Sequence, residues 1–233
     1  MAATGERGGS VGGDDVAIRM ARAGGAAAVV GTVFLIAYFT VPSLAGWPYA
    51  GGTADQLIRY VDDHALLFYA GGWLQGVGSA LCIVFVLVVV RLARTAWTLP
   101  GLLAIVGSAV LLAVVLAEAV FLIALPAAAA AGDRATVAIC FALSNGTFVR
   151  IFPLIPAPLV FFGMAYAGAG VLTRALRGAA LALAIAFVVV GLLAVFTAVG
   201  VYAGIALSVL QAVWFLWAGI AVIARARAVR EGR

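Results

Sequence analysis

Apolar residues in this chain come as long, nearly unbroken runs, and the short segments between them carry almost all of the charge. A helix crossing a hydrocarbon core of about 30 Å needs roughly 20 apolar residues. Runs of that length recur from Gly24 to Ala224. The first run, 24 to 46, predicts one helix. A polar stretch, "WPYAGGTADQLIRYVDDH", follows at 47 to 64. A second span is predicted over 65 to 90, then a basic link "RLARTAW" and a third span. That span opens at Leu99 and Pro100, where proline suits a first helical turn, and runs to about Pro126. After "AAAAAGDR", residues 135 to 172 would measure ~57 Å as one helix, too long for a single crossing. Pro153, Pro156 and Pro158 each remove a backbone donor and disfavour helix in the residue before. They split the stretch into a half-helix at 135 to 151 and a span at 156 to 173. The last apolar stretch, 178 to 224, is long enough for two spans with a tight turn near Gly200 to Gly204.

The pattern thus predicts an all-α polytopic membrane bundle of six transmembrane helices with a proline-broken fourth segment. Residues 1–23 read as a disordered cytoplasmic tail, 24–224 as the bundle and 225–233 as a basic cytoplasmic tail. Ser43-Leu44-Ala45 has the small-x-small form of a secretory cleavage site, but the run before it exceeds the usual 7–15 residues of a signal core, favouring a retained helix. In the half-helix, Thr136, Cys140, Ser144 and Thr147 share one face, opposite Val137, Phe141 and Phe148. That piece reads as interfacial or re-entrant.

Composition sharpens the class. With 66% hydrophobic and 10% charged residues, against about 25% charged in a soluble domain, a water-soluble fold would have nowhere to put this surface. The net charge of +5 could suggest nucleic acid, yet all basic residues are arginines beside apolar runs, where they act as topology signals and headgroup contacts. No basic groove with interleaved aromatics points to nucleic acid. The abundance of Ala, Gly, Val and Arg without lysine hints at a GC-rich genome and a bacterial inner membrane. With six spans and the N-terminus inside, the cytoplasmic side holds Arg7, Arg19, Arg22, Arg91, Arg94, Arg174, Arg177, Arg225, Arg227, Arg230 and Arg233, leaving Arg59 and Arg134 outside and Arg150 at the membrane. Both termini are then cytoplasmic. Cys82 and Cys140 lie in apolar segments without CxxC spacing, and His64 is the single histidine, so neither a metal site nor a cofactor is indicated.

Counting from the inner arginines at about 1.5 Å per residue gives depth. Glu118, inside "VLAEAVFL", falls about 27 Å past Pro100; Gln75 falls about 24 Å and Gln211 about 21 Å from the inner ends. Polar side chains gather in the outer half, while inner halves such as "CIVFVLVVV" are dry. This asymmetry predicts a vestibule open outward, lined by Trp73, Gln75, Glu118, Asn145, Arg150 and Gln211, with Asp62, Asp63 and His64 at its mouth. Gly72 and Gly76, with Ala80 continuing the stripe, predict close helix packing on one side of that span, about 60° around from Gln75. Three roles fit Glu118: an ion pair with Arg150, a carboxylate snorkelling to headgroup water, or a group that binds a ligand or handles a proton. Trp214, Phe215 and Trp217 fit helix packing or lipid contact better than a substrate cage. Asn145-Gly146-Thr147 matches a glycosylation acceptor but lies within an apolar half-helix.

The segments "VVLAEAVFL", "PLVFFGMAYAGAGVLTRALRG" and "QAVWFLWAGI" resemble a bacterial family of six-helix integral membrane proteins known only as a domain of unknown function. The resemblance implies the six-helix fold and supplies no substrate. In that family the last span often carries a glutamate where Gln211 stands here, and the fourth region is less proline-rich, so an acid-acid site is not implied for this chain. On the residues, the leading functional expectation is a non-enzymatic protein in the lipid bilayer that binds a lipid, another hydrophobic small molecule or a partner at the outer vestibule. The alternatives are an intramembrane enzyme with Glu118 as acid on an isoprenoid or lipid, and a small-molecule transporter subunit whose broken fourth segment forms the discontinuity.

Overall fold

The structure is a computed structural model that describes residues 11–46, 53–146 and 150–231, all of its regular elements helical. Five described helices are long and apolar enough to cross a membrane. They are Asp15–Val41 within α1 (Val11–Leu44), α3 (Ala65–Leu92), α4 (Leu99–Ala130), α8 (Arg174–Phe196), and Tyr202–Val229 within α9 (Ala198–Glu231). They mark the chain as a membrane protein. The remaining elements are α2 (Ala54–Asp63), α5 (Arg134–Gly146), the single turn α6 (Phe152–Leu154) and α7 (Pro156–Ala167).

Packing closes these helices into a ring. α1 lies on α3, α3 on α4, α4 on α7, α7 on α8, α8 on α9, and α9 again on α1. One end of the ring gathers the arginines. Gly24 meets Val88 across α1 and α3, the Thr95 hydroxyl donates to Ala167 O at 3.2 Å, and Arg225 Nη1 donates to Val171 O at 2.6 Å. These contacts bring the start of α1, the ends of α3 and α7, the start of α8 and the end of α9 together. Arg177 Nε donates to Ala165 O at 2.7 Å, so a guanidinium and a hydroxyl satisfy carbonyls that the end of α7 leaves without helical partners. At the opposite end α2 packs on α4 and α5, and α5 packs on α4.

Helix ends follow local chemistry. α2 starts at a capping box in which the Thr53 side chain accepts from Gln56 N and Gln56 Oε1 accepts from Thr53 N. Its Leu57 and Val61 are buried while Asp55, Arg59, Asp62 and Asp63 are exposed, giving an amphipathic helix inside a stretch that reads as merely polar. At the start of α5 the Asp133 carboxylate accepts from Thr136 N at 3.0 Å and Thr136 Oγ1 at 2.5 Å, bonds that hold the carboxyl below its usual range. An exposed ion pair, Arg134 to Asp55 at 2.5 Å, ties α5 to α2.

Several boundaries differ from the sequence expectations. Residues 11–23 are helical and extend α1, because Ala17–Ala23 holds strong helix formers that propagate the adjoining span; residues 1–10 lie outside the described part. α9 runs to Glu231, so Arg225, Arg227 and Arg230 of the basic tail belong to the same helix as the last span. The break in the last apolar stretch falls at Thr197, before Gly200. The Thr197 hydroxyl donates to Leu193 O at 2.9 Å and accepts from Gly200 N at 3.1 Å, ending α8 and capping α9 with one side chain. α7 stops at Ala167, short of Thr173. In α5, Cys140 and Ser144 are buried together with Val137, while Ile139 and Leu143 are exposed. The hydroxyl and thiol positions therefore share the inward face with Val137, because packing on α4 decides the burial; Thr147 and Phe148 lie outside the described residues.

Candidate functional site

Glu118 is the carboxylate inside the membrane-crossing part of α4, and it is 4% exposed. Two donors from two other helices reach it. Tyr38 Oη of α1 donates to Oε1 at 3.1 Å, and Gln75 Nε2 of α3 donates to Oε2. Gln75 is 1% exposed, and its Oε1 is buried without a hydrogen-bond partner among the described residues.

The position of this triad follows from how the three helices pack. One apolar cluster contains Leu35, Cys82 and Val115, and a second contains Phe68 and Leu122 with Tyr38 against it. On α4, Glu118 lies between Val115 and Leu122; on α3, Gln75 lies between Phe68 and Cys82. The polar groups form a single layer between a large core on the arginine side and a smaller core beyond it. Leu57 and Val61 of α2 and Val137 and Cys140 of α5 complete that smaller core. The layer is thus roofed by α2 and α5, and the roof corrects the expected open vestibule at Gln75 and Glu118: the side chains meet protein above as well as below.

Of the expected lining, the structure brings Gln75 and Glu118 together and leaves the others apart. Trp73 is 57% exposed with its ring beside Phe34, centroids 5.4 Å apart. It stands two residues before Gln75, about 200° around the helix, so the phase that buries one exposes the other. Arg150 is exposed, and the partners of Glu118 are the neutral donors Tyr38 and Gln75, so of the three roles the ion pair with Arg150 does not form. Gln211 is buried, but on α9, which packs on α1 and α8; no hydrogen bond joins it to the triad among the described residues. The Asn145 side chain lies outside the described part.

At the expected mouth, Asp62 and Asp63 are exposed, and His64 closes α2 with its ring stacked on Tyr60 at 4.5 Å and Nδ1 3.0 Å from Tyr60 O. A donor at Nδ1 makes that a hydrogen bond to the helix carbonyl. The α3 glycines also divide differently from the expected stripe. Gly72 faces Ile123 of α4, Gly76 has open space, and Gly78 makes the close crossing with α1.

Tyr38 is the residue that sequence reasoning missed. It lies about 24 Å along α1 from Arg22, the same height as Gln75, and a tyrosine hydroxyl in an apolar run needs a partner. In the arginine half, Phe161 sits among Phe187, Trp214 and Phe215 at 5.2 to 5.9 Å, and Trp214 Nε1 donates to Leu176 O at 2.8 Å. Trp214 and Phe215 are therefore packing residues, while Trp217 is about half exposed. No family model, curated protein or solved structure matches the chain.

Proposed function

We propose that this chain is a six-crossing protein of a bacterial inner membrane, with both termini cytoplasmic, that holds a lipid or small amphiphile by a hydrogen-bond-donating headgroup at the Glu118–Gln75–Tyr38 layer. α6 and α7 supply the sixth crossing. Support for this comes from Gly191 of α8, which touches Pro153 and Leu154, while the other end of α7 is tied to Thr95; the pair follows its neighbours over most of their height although α7 alone is short. The prolines at 153, 156 and 158 separate this crossing from α5, which lies over the triad. Orientation rests on the arginine end being cytoplasmic. With Cys82 and Cys140 replaced by serine, Asp63→Cys in intact cells is expected to react with an impermeant maleimide, and Arg227→Cys only after permeabilisation. The reverse labelling pattern would overturn the orientation.

The observation that carries the binding role is the unpartnered Gln75 Oε1 beside a buried carboxylate. Acceptors exceed the donors that the three side chains bring, and a buried acceptor left alone costs about 1–3 kcal/mol. An ammonium or hydroxyl headgroup supplies the missing donor. Glu118→Gln places an amide beside Gln75, so the two amides can pair and occupy the acceptor a ligand would use. Protein purified in mild detergent is expected to retain an amine- or hydroxyl-bearing amphiphile, detected by native mass spectrometry. Glu118→Gln and Gln75→Leu should each lower its occupancy at least tenfold while the variants still melt cooperatively. Unchanged occupancy in both folded variants would refute the binding role.

A further inference from the structure

At the arginine end, remote from the triad, the start of α1, the end of α3, the turn after α7 and the end of α9 leave a groove of about 530 Å³. Ile18, Leu92, Val171, Val222 and Val229 give it an apolar lining, with Arg225 among them. That volume lies within the range of about 300–1,000 Å³ typical of small-molecule sites. Val222, Arg225, Ala226 and Val229 recur on one face of α9, so the guanidinium stands on the apolar face and not opposite it. Arg225 Nη1 is bound to Val171 O, which fixes the group at the groove while leaving other N–H donors of the fork.

Charge selects the occupant. The described elements place Arg19, Arg22, Arg91, Arg94, Arg174, Arg177, Arg225, Arg227 and Arg230 at this end, against Asp14, Asp15 and Glu231. At the other end Arg59, Arg134 and Arg150 face Asp55, Asp62, Asp63 and Asp133. An excess of cations thus surrounds an apolar groove at one end only. Arginines near a membrane surface attract anionic lipid, and a planar guanidinium fork matches phosphate oxygens two at a time.

We infer that this groove is a binding site for an anionic phospholipid, with the phosphate on Arg225 and an acyl chain running from it past Leu92 and Val222 toward the bilayer. The site is separate from the triad and takes an anionic headgroup, where the triad takes a hydrogen-bond donor. Arg22, one turn from Ile18 on α1, and Arg91, next to Leu92, are the arginines nearest in sequence to the lining on those helices.

Native mass spectrometry of wild-type protein released from nanodiscs of equal phosphatidylglycerol and phosphatidylcholine tests the site. Phosphatidylglycerol is expected to be retained at least tenfold over phosphatidylcholine, and glycerol phosphate added in solution should not displace it, because a free phosphate lacks the chain. Arg225→Gln should abolish the preference, Arg225→Lys should restore part of it, and Ala226→Trp, which fills the groove, should lower the retention of either lipid. In Glu118→Gln, where the triad no longer takes a hydroxyl headgroup, the preference for phosphatidylglycerol over phosphatidylcholine should persist, so failure of the triad reading and failure of this one are distinguishable. Equal retention of the two lipids by the wild type, or displacement by glycerol phosphate, would overturn the inference even if the arginine variants do not fold.

Discussion

Replacing Glu118 by alanine is expected to destabilise the folded protein by about 2–4 kcal/mol, whereas Glu118→Gln should be as stable as the wild type or slightly more so. Alanine removes the acceptor for Gln75 Nε2 and Tyr38 Oη at once. The donors then stay buried between two apolar clusters, and the missing side chain leaves a gap where three helices meet. Interhelical hydrogen bonds in membranes average only about 0.6 kcal/mol each, so most of the loss comes from the unpartnered groups and the gap. Glutamine keeps the volume, accepts from Tyr38 and gives Gln75 Oε1 the donor that it lacks. Thermal melting in one detergent, following helical circular dichroism, checks the order. Should alanine melt with glutamine, the triad contributes nothing to holding α1, α3 and α4 together.

Much of this was legible in the sequence because a bilayer leaves few choices. Run length gives the apolar helices α3, α4 and α8 nearly to their ends, and arginine position gives the end at which the helices meet, since both signals are local and strong. The pairing of Gln75 with Glu118 was also within reach, both lying about 24 to 27 Å from the arginine end. Depth, however, is one coordinate, and a site needs the angle around the helix as well. Trp73 and Gln75 share a height and point opposite ways; Gln211 lies near it too, but on α9, from which no hydrogen bond reaches the triad among the described residues. α2 was concealed for a different reason. Its ten residues are too short and too charged for any hydropathy window, and only Thr53 with Gln56, together with Leu57 and Val61 one turn apart, marks an amphipathic helix. Missing that helix turned a covered layer into an open vestibule.

The other large effect is expected at the crossing of α1 with α3, where Gly31→Leu should cost about 3 kcal/mol or more. A Cβ at position 31 would stand 2.6 Å from the Gly78 carbonyl oxygen and 2.9 Å from Leu81 Cβ, and one at Gly78 would stand 3.0 Å from the Gly31 oxygen. Two backbones touch there, so no rotamer change relieves the clash and the helices must separate. Without water to drive apolar surfaces together, such close van der Waals contact is what holds membrane helices side by side. Gly76→Leu is the control: nothing lies within 4 Å of a Cβ there, and leaving glycine in a helix gains about 0.5–1 kcal/mol. Separation at Gly31 also reaches the triad, because Tyr38 rides two turns farther along α1. Tyr38→Phe should cost about 1 kcal/mol in the wild type and nothing further once Gly31 is leucine, a coupling read by a double-mutant cycle of melting free energies. Additive losses would mean that the crossing and the polar layer are independent, and that α1 does not place Tyr38 through its contact with α3.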